Sequence, residues 1–304
     1  TNPELLKEFE EAKHMAEAQS KFVRTSGRFP LTAVGDVNTY AIFAELVRKL
    51  LNERGRAGII VPTGIATDNT TKDFFGDLIN KQSLFSLTGF ENEAFIFPAV
   101  HHSFKFCALT MTGEKDNVTH ADFIFFCRYF EQVKDDKKHF KLSREDFTLI
   151  NPNTLTCPIF RTKSDSELAK NIYKKVPVLE NEKTGENPWG ISFMRMFDMS
   201  NDSHLFFTEP AEKILPLYEA KLIYHFDHRY ATYKGATQAN LNEGSLPQPS
   251  IEQKQNPDFL VLTRYWISES EVNKRLENWK YKWLLGFRDI TSSVVERTAI
   301  FTFL

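Results

Sequence analysis

The sequence predicts an α/β fold, the closing half of a doubly wound sheet, followed by an α+β region. Three observations carry that expectation. Helical periodicity over residues 38–53 runs directly into the all-apolar stretch AGIIVP at 57–62. A second helical pattern then leads to an apolar stretch at 83–90, and an alternating one follows at 103–111. From about residue 186 the chain breaks into short aromatic-rich segments separated by Asn, Pro and Gly.

The elements follow in order. Residues 3–23 are polar and weakly amphipathic, with Pro3 and Glu4 suited to a helix's first turn. A Gly-rich loop leads to the helix at 38–53. There Phe43, Leu46, Val47, Leu50 and Leu51 recur at three- and four-residue steps and predict one buried stripe. Asp36 or Asn38 can cap its start, and Gly55 its end. AGIIVP then reads as a buried parallel strand covered on both faces. Asp68 or Asn69 opens a second helix, with Phe74, Phe75, Leu78 and Ile79 facing inward. Two strands follow, joined by a connection too short for a helical crossover, which predicts that they are antiparallel. The segment 121–136 fits a helix or an apolar strand, and periodicity leaves both open. Residues 151–160 read as a loop and 164–176 as a helix. The polar stretch 236–258 reads as a mobile loop or insertion. A boundary is expected near 150–185.

Composition narrows the function classes. The 304 residues are 41% hydrophobic and 26% charged, as in a globular protein, and no apolar run approaches a membrane span. The net charge of -2 excludes a broadly basic nucleic-acid coat and leaves local patches. Cys107, Cys127 and Cys157 form no CxxC pair, so neither a zinc ribbon nor a disulfide framework is indicated; a reducing cytoplasmic setting fits. Most of the 28 phenylalanines are expected in the core. There is no GxGxxG. The chain opens at Thr1 without Met and ends on an apolar run, and both ends read as cuts in a longer polypeptide.

The stretch 36–79, DVNTYAIFAELVRKLLNERGRAGIIVPTGIATDNTTKDFFGDLI, resembles the late catalytic domain of gamma-class N6-adenine DNA methyltransferases of the long restriction-modification and phage-defence type. The resemblance implies the late half of a class I methyltransferase sheet. It places Asn38, Tyr40 and Phe43 beside the adenine of S-adenosylmethionine. The segment FIFPAVHHSFKFCALTM resembles the family's Phe-Pro loop and following strand, which implies that Phe97 stacks on the flipped target base. An aromatic face recovers part of the stacking lost when a base leaves the duplex, about 1–3 kcal/mol. A loop aromatic packed on the sheet is the plainer reading of Phe97, and core packing that of Phe43.

The family's Asn-Pro-Pro-aromatic tetrapeptide is absent. NPNT at 151–154 and NPWG at 187–190 lie on the wrong side of the helix–strand unit, so no catalytic residue is assigned. The resemblance divides the chain into a late catalytic part (1–150), a linker helix region (151–185) and a target-recognition region (186–304). It implies double-stranded DNA and a missing N-terminal catalytic half as partners, and only weak cofactor binding by these residues alone. Arg229, Arg264, Arg288 and Arg297, with Tyr230, Tyr265 and Trp266, are candidate DNA contacts, since Arg reads guanine edges and phosphates. The competing reading is surface ion pairing, with Asp289 or Glu296 for example.

Two other functions stay open: a non-catalytic DNA-specificity module, and a magnesium-dependent nuclease using Asp198 or Asp202 with Glu219 and Lys221. His225 and His228 have metal-ligand spacing on a helix, but the alternation around them indicates a strand, which would turn them to opposite faces. No metal site is assigned.

Overall fold

The computed structural model describes residues 2–290 and 297–304. The chain divides into two compact units, Thr1–Ile191 and Ser192–Leu304.

The first unit opens with α1 (Pro3–Thr25), capped by Asn2 Oδ1, which accepts from the N–H groups of Glu4 and Leu5; none of its residues is buried. Next come α2 (Thr39–Leu50), β1 (Arg56–Pro62), the single turn α3 (Gly64–Thr67) and α4 (Lys72–Asn80). Strands β2 (Leu84–Glu91), β3 (Lys105–Thr112), β4 (His120–Cys127) and β5 (Phe140–Ser143) follow, then α5 (Arg144–Ile150) and α6 (Lys163–Tyr173). Ser143 and Thr162 start the last two helices with capping boxes, each satisfying orphan N–H groups.

The five strands form one mixed sheet in the order β1-β3-β2-β4-β5. β3 lies antiparallel between β1 and β2, which therefore point the same way; β2 and β4 are parallel, and β5 returns antiparallel. The antiparallel pairing expected for the strands at 83–90 and 103–111 is present. The segment 121–136 resolves to β4 followed by the 3-10 turn Phe130–Lys134.

One sheet face is a large core. Val61, Leu87, Leu109, Met111 and Phe123 point into it and meet Ala41 and Ala44 of α2, Phe74, Phe75, Leu78 and Ile79 of α4, and Phe147 of α5. The inward set expected of α4 is thus buried. The opposite face carries only a small cluster, in which Phe90, Ile124 and Cys127 pack with Ile96, Phe106 and Val133.

Two expectations are corrected here. β1 is neither parallel-paired nor covered on both faces: it is the sheet's outer strand in this chain, pairs antiparallel with β3, and leaves Ile60 63% exposed. The stripe assigned to α2 is only partly its inner side: Val47 and Leu51 pack against the core. Phe43 and Leu50 are exposed, and the helix buries Ala41, Ala44, Glu45 and Arg48, the same period turned around the axis. Charged residues can occupy that face because each is paired. Thr32 Oγ1 and the Leu31 N–H donate to Glu45 Oε2 at 2.7 and 3.2 Å, and Arg48 meets Asp77 at 3.3 Å. The capping expectations are corrected as well: Asn38 is the N-cap but makes no side-chain cap bond, and Leu51, not Gly55, is the C-cap.

In the second unit β6 (Ile214–Leu217) pairs antiparallel with β7 (Tyr265–Ser268), and β8 (Leu285–Phe287) with β9 (Phe301–Phe303). Helix α7 (Met199–Asp202) precedes β6 in sequence, α8 (Gln238–Glu243) and α9 (Ile251–Gln255) lie between β6 and β7, and α10 (Glu269–Arg275) lies between β7 and β8. The stretch 236–258, expected as a mobile loop or insertion, holds α8 and α9. Thr237 with Asn240 and Ser250 with Gln253 form capping boxes, a local signal that outweighs the polar composition. The strand expected through His225 and His228 is a tight turn bridged between Tyr224 and Asp227. Among the described residues, no helix is long and apolar enough to cross a membrane.

Candidate functional site

β1, β2 and β4 run in one direction, so their carboxyl ends, Pro62, Glu91 and Cys127, share one edge of the sheet. Crevices outside such ends are the usual ligand sites of α/β sheets. The long β2–β3 connection rises from this edge and carries Phe97.

A single buried side chain builds that connection. Asn92, fully buried at the end of β2, donates through Nδ2 to the carbonyls of Phe97 (3.0 Å) and Val100 (2.8 Å). Its Oδ1 accepts from the Phe97 N–H at 2.9 Å, and its own N–H donates to the Phe104 carbonyl at 3.1 Å. Phe95 completes the turn in the left-handed region at φ 52°. The Phe97 ring lies edge-on to Phe106 with centroids 4.9 Å apart, and 38% of the residue is exposed. It lines an apolar cleft of about 420 Å³ with Ile60, Phe90, Phe106, Phe130 and Lys134. Phe97 is therefore both packed on the sheet and open on one side.

The cleft's floor continues onto the bare part of the sheet. A Cβ on Gly58 would meet nothing within 4 Å. At the other end of the cleft β4 is irregular: its pairing with β2 shifts between Thr88 and Phe90, and Phe126 takes φ 59°. This bulge needs Gly89, because a Cβ there would lie 2.6 Å from Phe125 Cδ1. The polar rim is anchored on Glu91, which accepts from Arg128 Nε at 2.9 Å and has Lys105 at 3.8 Å. His102 meets Glu93 at 3.2 Å, and its ring lies tilted against that of His101 with centroids 4.4 Å apart.

The three residues expected at the cofactor lie along the start of α2. Tyr40 packs half-buried against the large core. Burial, then the charge of Asp68 just beyond β1, raises its hydroxyl pKa above the usual phenol value. Asn38 and Phe43 are exposed, with Phe43 at 63%. Tyr40 therefore belongs to the helix-covered side of the sheet and Phe97 to the open side.

The four candidate arginines have different environments. Arg288 donates from Nε to the Ile223 carbonyl at 3.1 Å and lies over the stacked rings of Tyr224 and Tyr230. Arg229 donates to the Asn256 carbonyl at 2.9 Å. Arg264 and Arg297 are exposed, Arg264 beside the Tyr265 ring. Trp266 is buried and Tyr265 half-buried. Asp289 pairs with Arg195 at 3.6 Å, and Glu296 lies outside the described residues.

The carboxylates of the nuclease-like set are bound to protein groups. Tyr233 donates to Glu219 at 2.6 Å, with Lys221 at 3.5 Å from the same carboxylate. Asp202 holds Arg275 through both oxygens, which pulls its pKa down to about 2. No group of three His, Cys, Asp or Glu residues able to hold a metal occurs among the described residues, so Asp198 and Asp202 are not brought together with Glu219.

Of the residues that shape this cleft the sequence singled out Phe97, and not Asn92, Gly89 or the Glu91 rim. An Asn after an alternating segment signals a turn; nothing in it announced a fully buried amide.

The fold and this edge define a mixed α/β protein with a five-stranded mixed sheet and a ligand-sized cleft. No protein-family model matches the chain, and no curated protein matches it. Among solved structures, one described as the type IIG restriction endonuclease BpuSI is similar over 48% of this chain, with a TM-score of 0.31 and 17% identity. The match spans 18% of that enzyme's chain. A likeness of that size assigns neither fold nor activity.

Proposed function

We propose that the chain is part of a site-specific DNA adenine-N6 methyltransferase: one wall of the pocket, in residues 1–150, a linker region at 151–185, and target recognition in 186–304. The observation that carries this reading is Phe97, held by buried Asn92 at the carboxyl ends of parallel strands with one side of its ring open to an apolar cleft. An unstacked adenine needs such a ring face.

S-adenosylmethionine would supply the methyl group. Asn38 and Phe43, exposed at the start of α2, are free to meet its adenine, and Tyr40 stands next to them. The residues fit that role, although the chain lacks the tetrapeptide that would bind the reacting amino group. The missing catalytic half would lie along β1, whose outer edge, bare face at Gly58 and Ile60, and flanking Phe43 and Leu50 are without cover among the described residues. Exposed Arg264 and Arg297 are the better placed of the four arginines for duplex DNA, and Arg229 and Arg288 brace the unit that presents them. The three buried free thiols suit the cytoplasm.

The test is methyl transfer from labelled S-adenosylmethionine to duplex DNA, first by this chain alone and then with the proposed upstream catalytic part. The chain alone is expected to be inactive at stoichiometric enzyme and to bind the cofactor only weakly. With the upstream part present, Phe97→Ala is expected to lower kcat/KM by roughly five- to a hundredfold, the value of one base–aromatic stack. Methyl transfer by the chain alone, or an unaffected Phe97→Ala enzyme, overturns the assignment.

A further inference from the structure

Residues 279–283 alternate aromatic and basic side chains: Trp279, Lys280, Tyr281, Lys282, Trp283. The segment follows α10 and leads into β8. Two hydrogen bonds fix its shape. The Trp279 N–H donates to the Leu276 carbonyl at 2.8 Å, and Trp279 Nε1 donates to the Trp283 carbonyl, also at 2.8 Å. The second bond draws the five residues into a bow.

In the bow the Tyr281 and Trp283 rings stack, with centroids 5.2 Å apart and planes 29° apart. Trp279 stands edge-on to both, at 5.2 and 6.0 Å, and Phe303 of β9 stands edge-on to Trp283 at 5.2 Å. These rings are not a core: Trp279, Tyr281, Trp283 and Phe303 are 38%, 44%, 44% and 54% exposed. Lys280 and Lys282 are exposed between them, with Lys280 Nζ 5.0 Å from the Tyr281 ring. Between Trp279 and Arg288 every charge is positive.

Each feature narrows the partner. Exposed rings suit flat ligands, and repeated cations on the same few residues suit a polymer with repeated negative charge. Nucleic acid supplies both only where its bases are unpaired, since a duplex buries its base faces. A neutral sugar leaves the lysines without a role, and an acidic peptide leaves the rings without one.

We propose that Trp279, Tyr281 and Trp283 form a stacking platform for unpaired nucleotides, with Lys280 and Lys282 on the flanking phosphates. The proposal stands on the second unit's geometry alone and does not require methyl transfer, so the two readings fail separately.

The test uses the full chain and labelled dT12, read by anisotropy and by quenching of tryptophan fluorescence. A 12-base-pair duplex and inorganic polyphosphate serve as competitors. The chain is expected to bind dT12 in preference to both. Tyr281→Ala is expected to weaken binding by roughly five- to a hundredfold, while Tyr281→Phe retains it. Lys280→Gln with Lys282→Gln is expected to flatten the dependence of log K on log salt by about 1.4, two phosphates' worth on a single strand. Equal competition by polyphosphate, preference for the duplex, no dT12 binding at low salt, or a Tyr281→Ala chain with unchanged circular dichroism and affinity within twofold would each overturn the proposal.

Discussion

The two faces of the five-stranded sheet come from the same strands yet have opposite fates. Along β1, β3 and β2 the residues Ile59, Leu109 and Leu87 lie in register on one face, and Ile60, Ala108 and Thr88 on the other. The first face is roofed by α2, α4 and α5. The second is covered only at its carboxyl end, by the β2–β3 connection and the turn at Phe130–Lys134. Strand pairing alone thus does not decide what is core; what packs on each face does, and the cleft exists because the second cover is incomplete.

The sharpest test of that contrast compares one large side chain from each face. Phe123→Ala, from the roofed face and fully buried, is expected to cost about 3–5 kcal/mol in urea unfolding. Ile60→Ala, from the open face, is expected to change stability by no more than about 0.5 kcal/mol. A cost of several kcal/mol for Ile60→Ala would mean that the open face is covered in solution.

The next largest effect sharpens what holds the roof. Arg48 is nearly buried on α2 and reaches Asp77 on α4. Asp77→Ala removes one partner of a mostly buried pair and leaves the guanidinium with only Glu114, at 4.0 Å and exposed. The expected loss is about 3 kcal/mol, with double substitution by Met and Leu costing less than Asp77→Ala alone. Equal costs for the two variants would show that the pair itself, and not an orphaned charge, carries the stability.

The same residues show how far the sequence could be read. The apolar runs located β1, β2 and β3, and the four-residue spacing of Phe74, Phe75, Leu78 and Ile79 located the inner face of α4, because apolar burial repeats with the element's period. In α2 the same period picks out Val47 and Leu51, which reach the core, but not the residues buried outright. Its buried face contains Glu45 and Arg48, whose burial depends on Thr32, Leu31 and Asp77, none of which is a periodic neighbour. β1 read as doubly covered because an all-apolar strand signals two buried faces without saying which chain segment buries them. Near the cleft, the β2–β3 connection that carries Phe97 was legible as a loop between two strands. The amide of Asn92 was not, since its value lies in bonds to carbonyls five and eight residues away.

On the open face, Asn92→Ala measures how much of the cleft depends on one side chain. It strands the Phe97 and Val100 carbonyls and the Phe97 N–H, for an expected loss of about 1–3 kcal/mol. Hydrogen exchange is expected to speed up in residues 93–104 while the strands facing α2 and α4 keep their protection. Uniform loss of protection across the sheet would show that the connection is part of the main core.

The smallest expected effect concerns the second support of the cleft. His139 bridges β4 to the turn that carries Phe130 and Lys134: Nδ1 lies 2.8 Å from Asp122 Oδ2, and Nε2 lies 2.7 Å from the Val133 carbonyl. Both partners are acceptors, so the bridge is complete only when both ring nitrogens carry protons. Burial, the largest single influence, pulls the His139 pKa down. The Val133 carbonyl and the carboxylates of Asp122 and Asp136 together outweigh it, and the net shift is upward from 6.5. A folded pKa above the unfolded one stabilises fully below about pH 6.5 and fades as pH rises through the folded value. Stability is therefore expected to decline modestly from pH 6 to pH 8, with exchange in residues 130–134 rising over the same window. His139→Gln, which cannot carry the charge, is expected to flatten both profiles; an unchanged slope in that variant would place the pH dependence elsewhere and leave the turn held by packing against Phe90 and Ile124.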